Sequence, residues 1–250
     1  MKTILGLTFL AALSSPAWSG DVVITRQKHT DATNVMGQDQ PALDSQEVLW
    51  IGKDHMRMEE GDRVTIVRAD LKKMYMLDSQ AKTCSTVDLP FDLTKFLPAE
   101  MAPMMEQMAS QSKVTVTPTG ESQKIKDWNT TKYTLSMTMP MGSSTQEMWV
   151  TNEIGTDRTG WQDMFAAQMA SSPFGAGLAA EMRKIDGIVI KSERTQTMMG
   201  TEIKSWESVL SVEEKEAPAG HYDVPAGYTE KPFDPMGGMM MGGPGRPRRK

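Results

Sequence analysis

The strongest constraint in this chain is the alternation that runs through residues 51–89. Met56 and Met58 alternate with His55, Arg57 and Glu59, and Gly61-Asp62 marks a turn. Val64 and Ile66 then alternate with Arg63 and Thr65. Residues 70–73 and 78–82 are polar turns on either side of Met74-Tyr75-Met76-Leu77, and residues 83–87 close the run. Successive side chains of a strand point to opposite faces, so this period of two predicts an antiparallel meander with one apolar face. That face must be covered by something. What covers it decides what the protein can do.

The flanking segments extend the pattern. Residues 21–30 read as a first strand with Val22 and Ile24 on one face. Residues 31–45 are polar, carry Gly37 and Pro41, and read as a loop before residues 47–51 lead into the meander. Beyond Leu89-Pro90, residues 91–97 read as a linker and the period changes. Met101, Met104, Met105 and Met108 recur at i, i+3, i+4 and i+7, one face of a short helix over 99–110. That stripe either faces the core or forms a lid, because methionine adapts its shape to varied apolar partners.

Residues 113–119 predict a strand that Gly120 turns. Residues 128–139 predict a long strand with Tyr133, Leu135, Met137 and Met139 on one face. Residues 145–152 set Met148 and Val150 together. Residues 160–171 and 177–184 read as two helices split by Pro173-Phe174-Gly175. Residues 188–197 and 202–212 read as a hairpin, and 218–228 as an extended closing segment. The sum is α+β: a mostly antiparallel sheet, two or three helices and no βαβ alternation.

The ends fall outside this domain, which is expected to span 20–231. Lys2, the short apolar run 4–13 and Ala17-Trp18-Ser19 read as a secretory signal peptide over 1–19. This predicts a periplasmic protein, with secretion as the alternative. Residues 232–250 form a Gly/Met/Pro tail without periodicity, expected to be disordered.

Charge and motif content narrow the function. A formal net charge of −5 with no basic stripe argues against nucleic acid. There is one cysteine, Cys84, so no internal disulfide can form, and a packing role is expected. No nucleophile elbow, P-loop or H-E-x-x-H motif is present, and His29, His55 and His221 lie far apart in sequence. The expectation is therefore a protein that is not an enzyme and needs no cofactor. The Met236, Met239, Met240 and Met241 cluster in the tail offers one alternative, because thioethers select soft Cu(I).

Several stretches resemble a known family. Gly52-Lys53-Asp54, Met56-Arg57-Met58, residues 64–68, Lys72-Lys73-Met74-Tyr75 and Leu77-Asp78 are similar to an exported bacterial family catalogued as a domain of unknown function. Gly187-Ile188, residues 191–193, Val212-Glu213-Glu214 and the run 218–228 match its closing part in the same way. The family is placed near the LolA-like lipoprotein-carrier fold. The resemblance implies an incomplete antiparallel β-barrel with helices plugging its open side, and an acyl chain or lipoprotein in the concave face. The Met/Gly tail is not part of that pattern.

On this basis Met56, Met58, Met74, Met76, Met101, Met105, Met137 and Met139 are the candidate ligand-binding residues. The expected partner is a lipid or lipidated protein, with peripheral contact to the envelope and no nucleic acid. An envelope scaffold that binds a protein segment is the alternative. Two packings stay open at this point, since the methionines can line a cavity or fill the space against the helices.

Overall fold

The computed structural model describes residues 20–234, apart from 36, 97–99, 141, 156–157, 170–174 and 199. The expected signal peptide, and the tail from 235 onward with its methionine cluster, lie outside the described residues.

Strand β1 (Asp21–Thr30) is followed by a small hairpin, β2 (Thr33–Val35) and β3 (Gln38–Gln40), and then by β4 (Leu43–Ile51). The meander comprises β5 (His55–Glu60), β6 (Arg63–Arg68), β7 (Lys73–Asp78) and β8 (Thr83–Asp88). A 3-10 turn (Leu93–Phe96) and helix α1 (Ala102–Gln111) lead to β9 (Lys113–Ile125), β10 (Trp128–Met139) and β11 (Gly142–Thr151). Helices α2 (Arg158–Met169) and α3 (Gly175–Met182) precede β12 (Ile188–Met198) and β13 (Thr201–Lys215). A short β14 (Thr229–Glu230) ends the order.

Twelve strands form one curved sheet in the order β14-β8-β7-β6-β5-β4-β1-β13-β12-β11-β10-β9. Its two edges, β14 and β9, are not paired with each other, so the sheet is open. All its pairings are antiparallel except that of β14 with β8. Strand β1 pairs with both β4 and β13, and so joins the meander half to the other half.

Register explains the inner face. Val22, Ile51, Met56, Val67, Met74 and Val87 stand opposite one another across six strands, and all are buried. Met164 of α2 is packed into this same core. Two rows further along the strands the face changes character, because Arg26, Glu47, Glu60, Arg63 and Asp78 are the residues opposite one another. The concave side is thus apolar where α2 covers it and charged beyond.

The outer face of the meander has its own cover. Val64, Ile66, Leu77 and Cys84 are buried beneath Tyr222, with Ala217, Val224 and Tyr228 packed alongside. The closing segment that supplies these residues is a series of turns, not an extended strand. His221 N donates to Pro218 O and Asp223 N to Gly220 O. Three links strap it down. Tyr222 Oη donates to Asp21 Oδ2 at 2.6 Å, Arg57 Nη1 to His221 O at 3.0 Å, and Arg68 Nη1 to Asp223 Oδ1 at 3.0 Å.

Three other expectations change. The stretch expected as a loop over 31–45 contains the β2–β3 hairpin, stabilised by Asn34 Nδ2 donating to Asp39 Oδ1 at 2.6 Å and Gly37 N to Asn34 Oδ1 at 3.0 Å. Gly120 does not end β9. Pairing shifts there, with Thr119, Gly120 and Glu121 set against Lys132, so Gly120 is a bulge at φ +80°. Packing also continues beyond 231, because Phe233 sits edge-on to Phe91 and Phe96, at 5.4 and 5.1 Å.

Candidate functional site

A cavity of about 500 Å³ lies between the inner face of β10–β12 and the pair α2–α3. This volume falls within the ordinary range of small-molecule sites. The alternate residues Leu135, Met137 and Met139 of β10 line it, with Met148 of β11 and Met198 of β12. Phe165 of α2 and Leu178 and Met182 of α3 form the opposite wall. The space exists because the helices also present small side chains, Ala166 and Ala179, toward the sheet. Gly187 fixes the return from α3 into β12. Its φ is +140°, and a Cβ there would lie 2.1 Å from the Thr151 carbonyl oxygen.

The wall of this cavity also carries polar groups. Arg26, Ser144, Gln146, Arg194 and Glu207 reach it from four strands. Arg194 Nε donates to Ser144 Oγ at 2.9 Å, and Gln146 Nε2 donates to Ser192 Oγ at 3.0 Å. Burial pulls the Arg194 guanidinium below its ordinary value, and no carboxylate raises it back. Arg26 Nη1 reaches Glu47 Oε1 at 3.2 Å, while its Nε is buried and donates to no described group. Lys28 Nζ lies 3.4 Å from Glu47 and 2.9 Å from Glu60, which also accepts from Ser45 Oγ at 2.7 Å. Burial pulls Lys28 down, but Glu47 and Glu60 outweigh it and hold the ammonium above its ordinary range. For Glu60, burial is likewise outweighed by hydrogen bonds from Lys28 and Ser45, and the carboxyl is held low.

The candidate methionines separate into groups. Met137 and Met139 line the cavity. Met56 and Met74 are fully buried in the main core, and Met58 and Met76 pack half-buried against it. Met101 is half-buried just before α1, and the Met105 side chain lies outside the described residues. On the same helix Met104 is 49% exposed, so the stripe is not core-facing throughout. Sequence reasoning did not single out Phe165, Met182, Arg26 or Arg194 as cavity residues. For Arg194 a signal existed: it follows Ile188, Ile190 and Ser192 at a period of two and precedes Gln196 and Met198, so the inward face of β12 carries a cation in mid-strand.

A second, more open cavity of about 460 Å³ lies on the other side of α2, between Phe91, Leu89 and Val67 and the helix. Ala166 and Arg183 border both cavities, so α2 and the end of α3 separate them. On the outer face, two histidines distant in sequence meet one tyrosine. The ring of Tyr222 lies 4.0 Å from that of His55 and 5.1 Å from that of His221. Among the described residues no group of three or more His, Cys, Asp or Glu side chains is arranged to hold a metal ion. No helix among them is long and apolar enough to cross a membrane.

Comparison with known proteins places the chain in a family. Among curated proteins none matches. A structure of PNGF-II is similar at 14% identity and a TM-score of 0.43, over 89% of this chain and 32% of that one. The chain therefore spans about a third of the length of that protein. A Vibrio parahaemolyticus domain named for outer membrane lipoprotein sorting is similar at 8% identity and a TM-score of 0.31, over 83% of this chain and 91% of that one. Residues 34–228 match a family described as a domain of unknown function, and with most of its length covered the chain belongs to that family, DUF4412.

Proposed function

We propose that the protein is a non-catalytic binding protein of the periplasm whose ligand is an acyl chain, free or carried by a lipid or lipidated protein. The observation that carries this reading is the apolar cavity between β10–β12 and α2–α3. Met137, Met139, Met148 and Met182 give it soft, adaptable walls, and Phe165 and Leu178 close it. Each methylene removed from water contributes about 0.8 kcal/mol, so a medium-length chain binds usefully even in a loosely fitting site. Met56, Met58, Met74 and Met76 then serve by supporting the sheet beside the cavity, while Met137 and Met139 touch the ligand.

Native mass spectrometry of the protein purified from cells tests the reading. The expected result is a mass above that of the bare chain by one acyl species. A fluorescent fatty acid should bind as well, and Ala179→Trp, which fills the space under α3, should weaken it about tenfold or more. A bare mass together with no fatty-acid binding overturns the proposal.

A further inference from the structure

We propose that the ligand of this cavity carries an acidic headgroup, a carboxylate or phosphate at the end of its acyl chain, held by Arg194 with Arg26 beside it. The inference rests on the acyl-chain reading above and adds the chemistry of the ligand's other end. A guanidinium has five N–H donors. Arg194 places one of them on a neutral hydroxyl, Ser144 Oγ at 2.9 Å, and has no carboxylate partner among the described residues. Arg26 commits Nη1 to Glu47, and its buried Nε has no described acceptor. Both side chains border the same apolar space.

The other charges nearby are accounted for. Glu207 also lines the cavity, and its charge acts on Lys28, its cross-strand neighbour. Arg183 stands at the rim, with Nη2 2.9 Å from Asp163 Oδ1. Among the described residues, the positive charge at this cavity without a counter-ion is therefore that of Arg194, on the inward face of β12. A planar guanidinium fork matches the two oxygens of a carboxylate or phosphate, and such charge-assisted bonds gain strength away from water. A neutral head would leave this half-buried cation as it is, and a cationic head would oppose it.

Four detergent-like probes with one common tail test the proposal on the full chain. They are tridecanoate, dodecyl phosphate, dodecanol and dodecyltrimethylammonium, each with a dodecyl tail, measured by displacement of a fluorescent fatty acid at neutral pH. The two anions should bind about tenfold or more tighter than dodecanol, and the cation more weakly. The order of the two anions distinguishes a free fatty acid from a phosphate headgroup. Arg194→Gln should remove the anion preference while dodecanol binding stays unchanged, and Arg194→Lys should restore part of it. The unchanged alcohol affinity shows that the Arg194→Gln protein is folded. Equal binding of anions and alcohol, or a preference that survives Arg194→Gln, overturns the headgroup proposal and leaves the acyl-chain reading standing. Binding of none of the four overturns both.

Discussion

Glu47 is 5% exposed and lies against two cations, Arg26 at 3.2 Å and Lys28 at 3.4 Å. Breaking a buried ion pair by removing one partner leaves the other charge unpaired away from water, which costs more than the pair itself contributes. Glu47→Gln is expected to lower stability by about 3 kcal/mol, read from urea denaturation. Glu60 holds the same Lys28, but its side chain is 36% exposed. Solvent screens it, and Glu60→Gln should cost about 1 kcal/mol or less. Equal losses for the two variants would show that burial does not govern this network. At this scale the sequence was partly readable. The alternation places Arg26 after Val22 and Ile24 on β1, and Arg194 after Ile188 and Ile190 on β12, so both arginines can be assigned an inward direction. It does not reveal that β1 and β12 flank β13 in the sheet. Only that order brings both arginines to one cavity.

Among the elements, the turn-rich strap 217–228 over the meander carries a titratable group whose surroundings disfavour its charged form. The His221 ring lies 4.4 Å from that of Trp50, and its buried Nε2 has no described partner. Burial first, then Arg57, hold His221 below the ordinary value of 6.5. Glu59 and Asp21 act the other way, and His55 adds to the lowering. A group whose folded pKa is depressed gives stability that is present above its unfolded value and lost as pH falls through the folded one. The strap should therefore weaken below pH 6.5. His29 works in the opposite sense. Its hydrogen bond to Asp44 holds its pKa high despite some desolvation, with Asp31 assisting, so its contribution is complete below 6.5 and fades as pH rises. The informative quantity is thus a difference. The urea midpoint of the wild type minus that of His221→Phe, which keeps a ring against Trp50, should fall as pH drops below 6.5. A difference independent of pH would remove His221 as the source. The strap also shows where element-level reading stops. The meander strands follow from local alternation. Residues 218–228 have prolines and glycines that encode turns locally, while their attachment depends on Asp21, Arg57 and Arg68 on distant strands. The β2–β3 hairpin was missed for a related reason. It is held by Asn34, Asp39 and Gly37 and has no apolar period to detect.

Across the whole molecule, the two halves of the sheet share α2 and use it differently. On the meander side Met164 is 1% exposed and completes a packed core. On the other side Phe165 and Ala166 border an apolar space of about 500 Å³. The helical spacing of Trp161, Phe165 and Met169 announces a helix, but volume is a property of two surfaces and their separation. A sequence with methionine on both surfaces is compatible with a filled interface or an open one. The difference has a thermodynamic consequence. A ligand that binds only the folded state stabilises it by about 2.7 kcal/mol when present at about a hundred times its Kd. For a chain of this size each kcal/mol shifts the thermal midpoint by about 2–4 °C. Dodecanoate at that concentration is expected to raise Tm by about 5–10 °C in differential scanning calorimetry. Ala179→Trp, on the wall of this space and not of the second cavity, should cut the shift by about half or more, because its side chain takes up the ligand's place. Met56→Leu, a core change of similar volume on the meander side, should lower Tm slightly and leave the shift intact. If Met56→Leu erased the shift and Ala179→Trp preserved it, the ligand would have to sit against the meander, and the space between β10–β12 and α2–α3 would not be the binding site.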